Sequence, residues 1–152
     1  MLNSKKYYLS IGSNIGNKLK NIQSAIDLIH SKLANLISIS SIYETSPIGF
    51  EGEKFFNICA CFNSYKNPHF VMSELLEIEQ IIGRIRLKES KYTSRIIDID
   101  ILLIDDMLID TKDLIVPHPE ISNRRFVIEP LVEIGPNPVS YTHLTLPTKQ
   151  DV

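Results

Sequence analysis

The residues with the clearest chemical potential are Asp98 and Asp100, in the run Arg95-Ile96-Ile97-Asp98-Ile99-Asp100-Ile101-Leu102-Leu103-Ile104. An extended chain alternates its side chains, so both carboxylates take one face while Ile97, Ile99 and Ile101 take the other. Neighbouring acids repel, and burying them uncompensated is costly. A hard divalent cation resolves that conflict. Mg2+ commonly accepts one or two protein carboxylates and fills its remaining positions with water and substrate phosphates. An isolated Asp-x-Asp is more often only the wet face of a strand. Here the acids interrupt a nearly continuous Ile/Leu run, which reads as a central strand, and cations flank them on both sides.

Those cations are Arg84, Arg86, Lys88 and Lys91 before the strand and Arg95 at its start. Alone, such a run is usually a solvated loop. Beside two metal-binding carboxylates it offers what a triphosphate needs, because guanidinium groups grip phosphate oxygens in pairs. A second dense cluster is Pro117-His118-Pro119-Glu120-Ile121-Ser122-Asn123-Arg124-Arg125-Phe126. Its histidine, held between two prolines, has few conformations and suits a fixed phosphate contact; a surface histidine is the plainer alternative. Phe55 and Asn57 share a strand face, so an aromatic plane and an amide can address one flat ligand, or simply fill a core.

These groups need elements to hold them. Segment 7–11 reads as a short buried strand that ends at Gly12-Ser13-Asn14-Ile15-Gly16. Leu19, Ile22, Ile26, Ile29 and Leu33 then recur at helical spacing, with Asn17 as N-cap. Segment 36–45 is a β-branched strand, and 46–54, with Pro47, Gly49 and Gly52, is a loop. Segment 55–62 is a strand with Phe56, Ile58, Ala60 and Phe62 on one face and Phe55, Asn57, Cys59 and Cys61 on the other. Asn67-Pro68 opens a second helix, Val71, Leu75, Ile78 and Ile82 form its stripe, and Gly83 stops it. The acidic strand follows; Asp105-Asp106 turns it into a short return over 107–109, and a last helix spans 126–134. The order strand, helix, strand, strand, helix, strand predicts an α+β, ferredoxin-like βαββαβ fold. Its antiparallel sheet carries helices on one face, plus C-terminal additions. Residues 1–140 read as one domain and 141–152 as a tail without assigned structure.

The 152 residues carry a formal charge of −2, with 43% apolar and 22% charged side chains. Without a net basic field, neither nucleic acid nor an anionic membrane is an expected partner. No apolar run is long enough to span a bilayer, and the start does not resemble a signal peptide, so a cytoplasmic protein is expected. Cys59 and Cys61, the only cysteines, are expected to be buried free thiols.

Taken together, several segments resemble the 6-hydroxymethyl-7,8-dihydropterin pyrophosphokinases of folate biosynthesis, over about 7–138. They are Gly12-Ser13-Asn14-Ile15-Gly16, Tyr43-Glu44-Thr45-Ser46-Pro47-Ile48-Gly49, Phe55-Phe56-Asn57, Gly83-Arg84-Ile85-Arg86, the acidic strand, Val116-Pro117-His118 and Asn123-Arg124-Arg125-Phe126. The resemblance implies an ATP-dependent transferase that moves pyrophosphate from ATP to the pterin hydroxymethyl oxygen and releases AMP. It implies two Mg2+ ions on Asp98 and Asp100, with Arg84 and Arg95 as catalytic cations beside those acids. ATP is then contacted by Arg84, Arg86, Arg95, His118 and Arg124. The pterin is sandwiched by Phe55 and Phe126, bonded at its edge by Asn57 and the backbone at Thr45 and Ile48, and approached by Asp98. Glu79 also matches a family position. Segment 84–94 is expected to close over ATP, and the enzyme to act as a monomer on small molecules.

The chain departs from many relatives at Tyr92, where a Trp is common, at Thr93-Ser94, where a Gly-Pro-like pair is common, and at Phe55, where a Tyr is frequent. Three rival readings fit the sequence less well. A ferredoxin-like RNA- or ligand-binding module lacks paired aromatic strand motifs here. A second is another magnesium nucleotide-transferase using the same aspartates on a different acceptor; no Gly-x-x-x-x-Gly-Lys-Ser/Thr loop is present, which disfavours a P-loop enzyme. An inactive relative fits poorly with the intact aspartates, arginines and His118.

Overall fold

Side-chain alternation in the strands sorts the apolar residues into two layers, one on each side of a single sheet. The computed structural model describes residues 3–46, 53–83 and 96–135. Along the chain run β1 (Lys5–Ser13), α1 (Lys18–Lys32), β2 (Asn35–Ile39), β3 (Tyr43–Thr45), β4 (Phe55–Ser64) and α2 (Pro68–Ile82). These are followed by β5 (Asp98–Ile104), β6 (Ile109–Asp110), β7 (Ile115–Val116), a 3-10 turn (Ile121–Asn123) and α3 (Arg125–Glu133).

The main sheet has the antiparallel order β2-β4-β1-β5, with β3 also on β4. Each helical crossover therefore skips one strand: α1 carries the chain from β1 past β4 to β2, and α2 carries it from β4 past β1 to β5. This is the expected ferredoxin-like arrangement. The larger core lies under α1 and α2 and collects Tyr7, Leu9, Ile11, Ile58, Ala60, Phe62, Ile99 and Ile101 from the sheet, with Ile97 just before β5. The smaller lies under α3 and holds Tyr8, Cys59, Cys61, Leu102 and Leu103 with Val127, Ile128 and Leu131. The alternation read in β4 is thus the division between the two cores. Both thiols are free and buried, and burial pushes them up from their ordinary ionisation range.

The caps sit where the sequence puts them. Asn17 accepts the Lys20 N–H at 3.1 Å and Asn67 accepts the His69 N–H at 2.9 Å, each supporting a helix start by about 1 kcal/mol. Gly83 closes α2 at φ 118°, a left-handed conformation that a side chain would strain.

Four expectations need correction. Leu19 is not part of the α1 stripe; it is 51% exposed, and Ala25 fills the buried face instead. The predicted strand over 36–45 is broken into β2 and β3. Ser40 bridges the break, its N–H donating to Cys59 O and its Oγ accepting the Cys59 N–H. The return after Asp105-Asp106 pairs with β7 and not with β5. Finally, among the described residues β5 is an edge strand that pairs only with β1. It reads as central in sequence because α2 covers one face and α3 part of the other. A register shift opposite Tyr8 and Leu9 also turns Leu102 and Leu103 toward the same core.

The smaller core is fastened from outside. Glu133 on α3 accepts from Tyr43 Oη at 2.7 Å, and from Ser41 N–H at 2.7 Å and Oγ at 2.9 Å. The bond to Glu133, and then burial, pushes Tyr43 up to about 12. The same hydroxyl, and then the Ser41 N–H, holds the Glu133 carboxyl below its ordinary range. A depressed carboxyl contributes stability above its unfolded pKa and loses it as pH falls through the folded one. Glu133→Gln is therefore expected to lower the melting temperature at pH 7 by no more than a few degrees, because the group is exposed and screened. The gap should close as the solution is acidified below the ordinary carboxylate range; a constant gap from pH 7 to pH 3 would show that ionisation plays no part.

Candidate active site

Register alone assembles the centre of the site. Gly12 on β1 faces Asn57 on one side and Asp98 on the other, and Asn57 faces Tyr43 beyond. Tyr43, Asn57, Gly12 and Asp98 thus form one row across four strands. The next row is Cys59, Ser10 and Asp100, and on the other side Phe55 faces Thr45. Strands lie about 4.8 Å apart, so Asn57 and Asp98 are roughly 10 Å from each other across a glycine. The floor between them carries no side chain of its own.

Asn57 is buried, and its Nδ2 donates to Thr45 Oγ1 at 3.2 Å. That bond sets which end of the amide points where. The other end leans over Gly12: a Cβ there would overlap Asn57 Oδ1. Gly12 is therefore required by close approach and not by its backbone angles.

Asp98 and Asp100 are half-buried on the face turned away from α1 and α2, while Ile97, Ile99 and Ile101 lie in the larger core. Among the described residues no cluster of three or more His, Cys, Asp or Glu could cage a metal. Two carboxylates on one strand face fit Mg2+, which keeps positions for water and phosphate, and not a closed all-protein site.

Along the outer edge of β5, Asp100 also borders a pocket of about 500 Å³ between α2, β5 and the β6–β7 hairpin. Its walls are apolar (Met72, Leu75, Leu76, Leu114, Ile115), with Lys112, Asp113 and His118 among the polar groups. The His118 N–H donates to Leu102 O at 2.9 Å, pinning this loop against the outer edge of β5. The His118 Nδ1 accepts the Glu120 N–H at 3.1 Å, so the ring proton of the neutral form sits on Nε2. Burial, and then the Arg124 charge, lower its pKa against the opposing pull of Glu120 and Asp98. At neutral pH the ring is an uncharged donor.

Phe126, at the start of α3, packs half-buried on the smaller core, on the side of the sheet that carries Phe55 and Asn57. The Arg124 guanidinium stands 5.9 Å from its ring centroid and 4.0 Å from Glu120. Of the sequence-derived site residues, Thr45, Phe55, Asn57, Asp98, Asp100, His118, Arg124 and Phe126 are placed on or beside this face. Arg84, Arg86, Arg95 and Ile48 lie outside the described residues, as does the segment 84–94 expected to close over a ligand. The flanking residues do meet: a Cβ on Gly83 would stand 3.6 Å from Ile96 Cδ1.

Sequence reasoning missed Gly12, the side chain of Thr45 and the pocket walls. A glycine inside a strand pattern was the available signal for the first, since it marks close approach of a ligand or another chain. The pocket has no local signal because three separate elements line it.

The sequence profile described as 7,8-dihydro-6-hydroxymethylpterin-pyrophosphokinase (HPPK) matches residues 8–136. The chain is 39% identical over 129 residues to the 2-amino-4-hydroxy-6-hydroxymethyldihydropteridine pyrophosphokinase of Bacillus subtilis, covering 84% of this chain and 76% of that one. It is 34% identical over 146 residues to a folic acid synthesis protein of Schizosaccharomyces pombe, covering 94% of this chain but only 20% of that longer protein. A Plasmodium falciparum HPPK-DHPS crystal structure with pterin and p-hydroxybenzoate superposes at a TM-score of 0.68 and 14% identity. That match covers 86% of this chain and 39% of the other, and at this identity it speaks for the fold alone.

Proposed function

The chain belongs to the 7,8-dihydro-6-hydroxymethylpterin-pyrophosphokinase family, and from that premise we propose that it transfers pyrophosphate from ATP to 6-hydroxymethyl-7,8-dihydropterin. The hydroxymethyl oxygen bonds to the β-phosphorus, the bond between that phosphorus and the α–β bridging oxygen breaks, and AMP departs with the bridging oxygen. The observation that carries this reading is the continuity of two unlike sites. The row Asn57-Gly12-Asp98 abuts, through Asp100 one row further along, an apolar pocket edged by His118. A flat heterocycle and a nucleotide have separate places that meet at one acidic strand.

Each residue then has a task. Asn57, fixed by Thr45, bonds the pterin edge, together with the backbone of Thr45 and Ile48; Phe55 and Phe126 supply the stacking faces. The pocket between α2 and the β6–β7 hairpin takes the adenosine. His118, an uncharged Nε2–H donor, and the cations Arg84, Arg86, Arg95 and Arg124 hold the phosphates. Such a reaction draws its rate mainly from positioning and charge stabilisation. Two Mg2+ ions, when bound to Asp98 and Asp100, supply charge neutralisation at the triphosphate. Asp98, in the pterin row, accepts the alcohol proton in this reading. The whole acts as a cytoplasmic monomer, within a domain of residues 1–140. No helix among the described residues is long and apolar enough to cross a membrane.

The test is incubation of the protein with ATP, Mg2+ and the reduced pterin alcohol, with nucleotide products separated by chromatography. AMP and a pterin diphosphate are expected in equal amounts. ADP in place of AMP would sink the reading.

A further inference from the structure

Among the described residues Glu79 is the one charged side chain that is buried, at 2% exposure. It lies on the helix face that presents Leu75 and Ile78 to the core, where an ionisable group is costly unless it is bonded. Its Oε2 accepts the Ile99 N–H at 2.7 Å. Ile99 is the residue between Asp98 and Asp100. Among the described residues β5 pairs with no strand but β1, so an N–H on its outer side has no next strand to receive it. The Glu79 carboxylate takes the place of that strand.

The consequence concerns direction as well as pairing. A strand that rotates or slips by one residue turns its acids to the opposite face. β5 already shifts register a few residues further on, opposite Tyr8 and Leu9, so its pairing with β1 does not lock the whole strand. A fixed point at Ile99 holds the segment that matters. We propose that Glu79 is a positioning residue for the metal-binding strand, acting through the Ile99 N–H to fix how Asp98 and Asp100 present themselves to Mg2+ and nucleotide. This rests on the function proposed above.

Three variants of the full chain test it, each read by amide exchange at Ile99 in the ligand-free protein and by the Mg2+ concentration giving half-maximal AMP formation. Glu79→Leu cannot accept the N–H; Glu79→Asp keeps the charge but draws the oxygen back; Glu79→Gln keeps an oxygen in place. Outer-shell partners of metal sites are typically worth ten- to a hundredfold. Leu and Asp are expected to speed Ile99 exchange and to raise the Mg2+ requirement about tenfold, at unchanged KM for the pterin. Gln should restore both. Should the leucine variant fail to fold, the aspartate variant carries the same prediction. Fast exchange with wild-type Mg2+ dependence overturns the proposal, and so does a Gln variant as impaired as Leu, which would assign the effect to charge. Wild-type protein that forms no AMP refutes the proposed function instead; normal wild-type turnover with indifferent variants refutes only the positioning role.

Discussion

Asp98→Ala and Asp100→Ala are each expected to lower AMP formation by about a thousandfold while leaving the protein folded. Both side chains are half-buried on the face away from the larger core, so truncation removes neither a strand bond nor a core contact of the isoleucines beside them. On the proposed function it removes half of the carboxylate pair that holds Mg2+. Metal-based charge stabilisation contributes several kcal/mol to such a transition state, and about 4 kcal/mol corresponds to a thousandfold in rate. The two should differ in their second effect. Asp98 stands in the row of Asn57 and Asp100 on the wall of the apolar pocket. Asp98→Ala should therefore also raise KM for the pterin, and Asp100→Ala that for ATP. Steady-state kinetics with AMP detection, alongside a melting curve, separate these effects from unfolding. Unchanged turnover in the Asp98 variant would remove that residue from the mechanism.

What could be read along the chain was what local chemistry decides. Asn17, Asn67-Pro68 and Gly83 mark helix ends because their side chains or backbone angles act within one turn. The shared face of Asp98 and Asp100 follows from strand periodicity alone. Whether β5 is central or at an edge does not, because a strand covered by helices looks equally apolar in both places. The same limit explains Glu79. A carboxylate on a buried helix stripe is visible in sequence, but the Ile99 N–H it serves lies 20 residues further along the chain. The Glu133 clasp on Ser41 and Tyr43 spans about 90 residues and leaves no local trace at all. Leu19 failed for a simpler reason. A helix stripe at i, i+3, i+4 has a width, and its first turn can extend past the sheet it packs on.

Substitution of Gly12 by alanine should damage pterin binding with little effect on the fold. The position is the last but one of β1, paired on both sides, and its backbone angles are not in the left-handed region that favours glycine. An alanine is therefore acceptable to the strand itself, and β propensity slightly favours it. The obstacle is the side chain across the ladder: the new methyl group would occupy the place of Asn57 Oδ1, while the nearest backbone atom, Phe56 O, stays at an ordinary 3.5 Å. The end of an Asn side chain yields more readily than a strand does, so the amide must turn away and leave Thr45 Oγ1. A site built around a hydrogen-bonding amide then presents neither its donor nor its acceptor in place. Losing such contacts in a desolvated site costs roughly 2–3 kcal/mol, or about a 30- to 160-fold rise in KM for the pterin. KM for ATP should stay near its wild-type value, because the pocket proposed for the nucleotide borders β5 and α2 and not β1. Equal losses for both substrates would mean that the methyl group disturbs the sheet as a whole. An unchanged pterin KM would mean that Asn57 does not read the pterin from above Gly12.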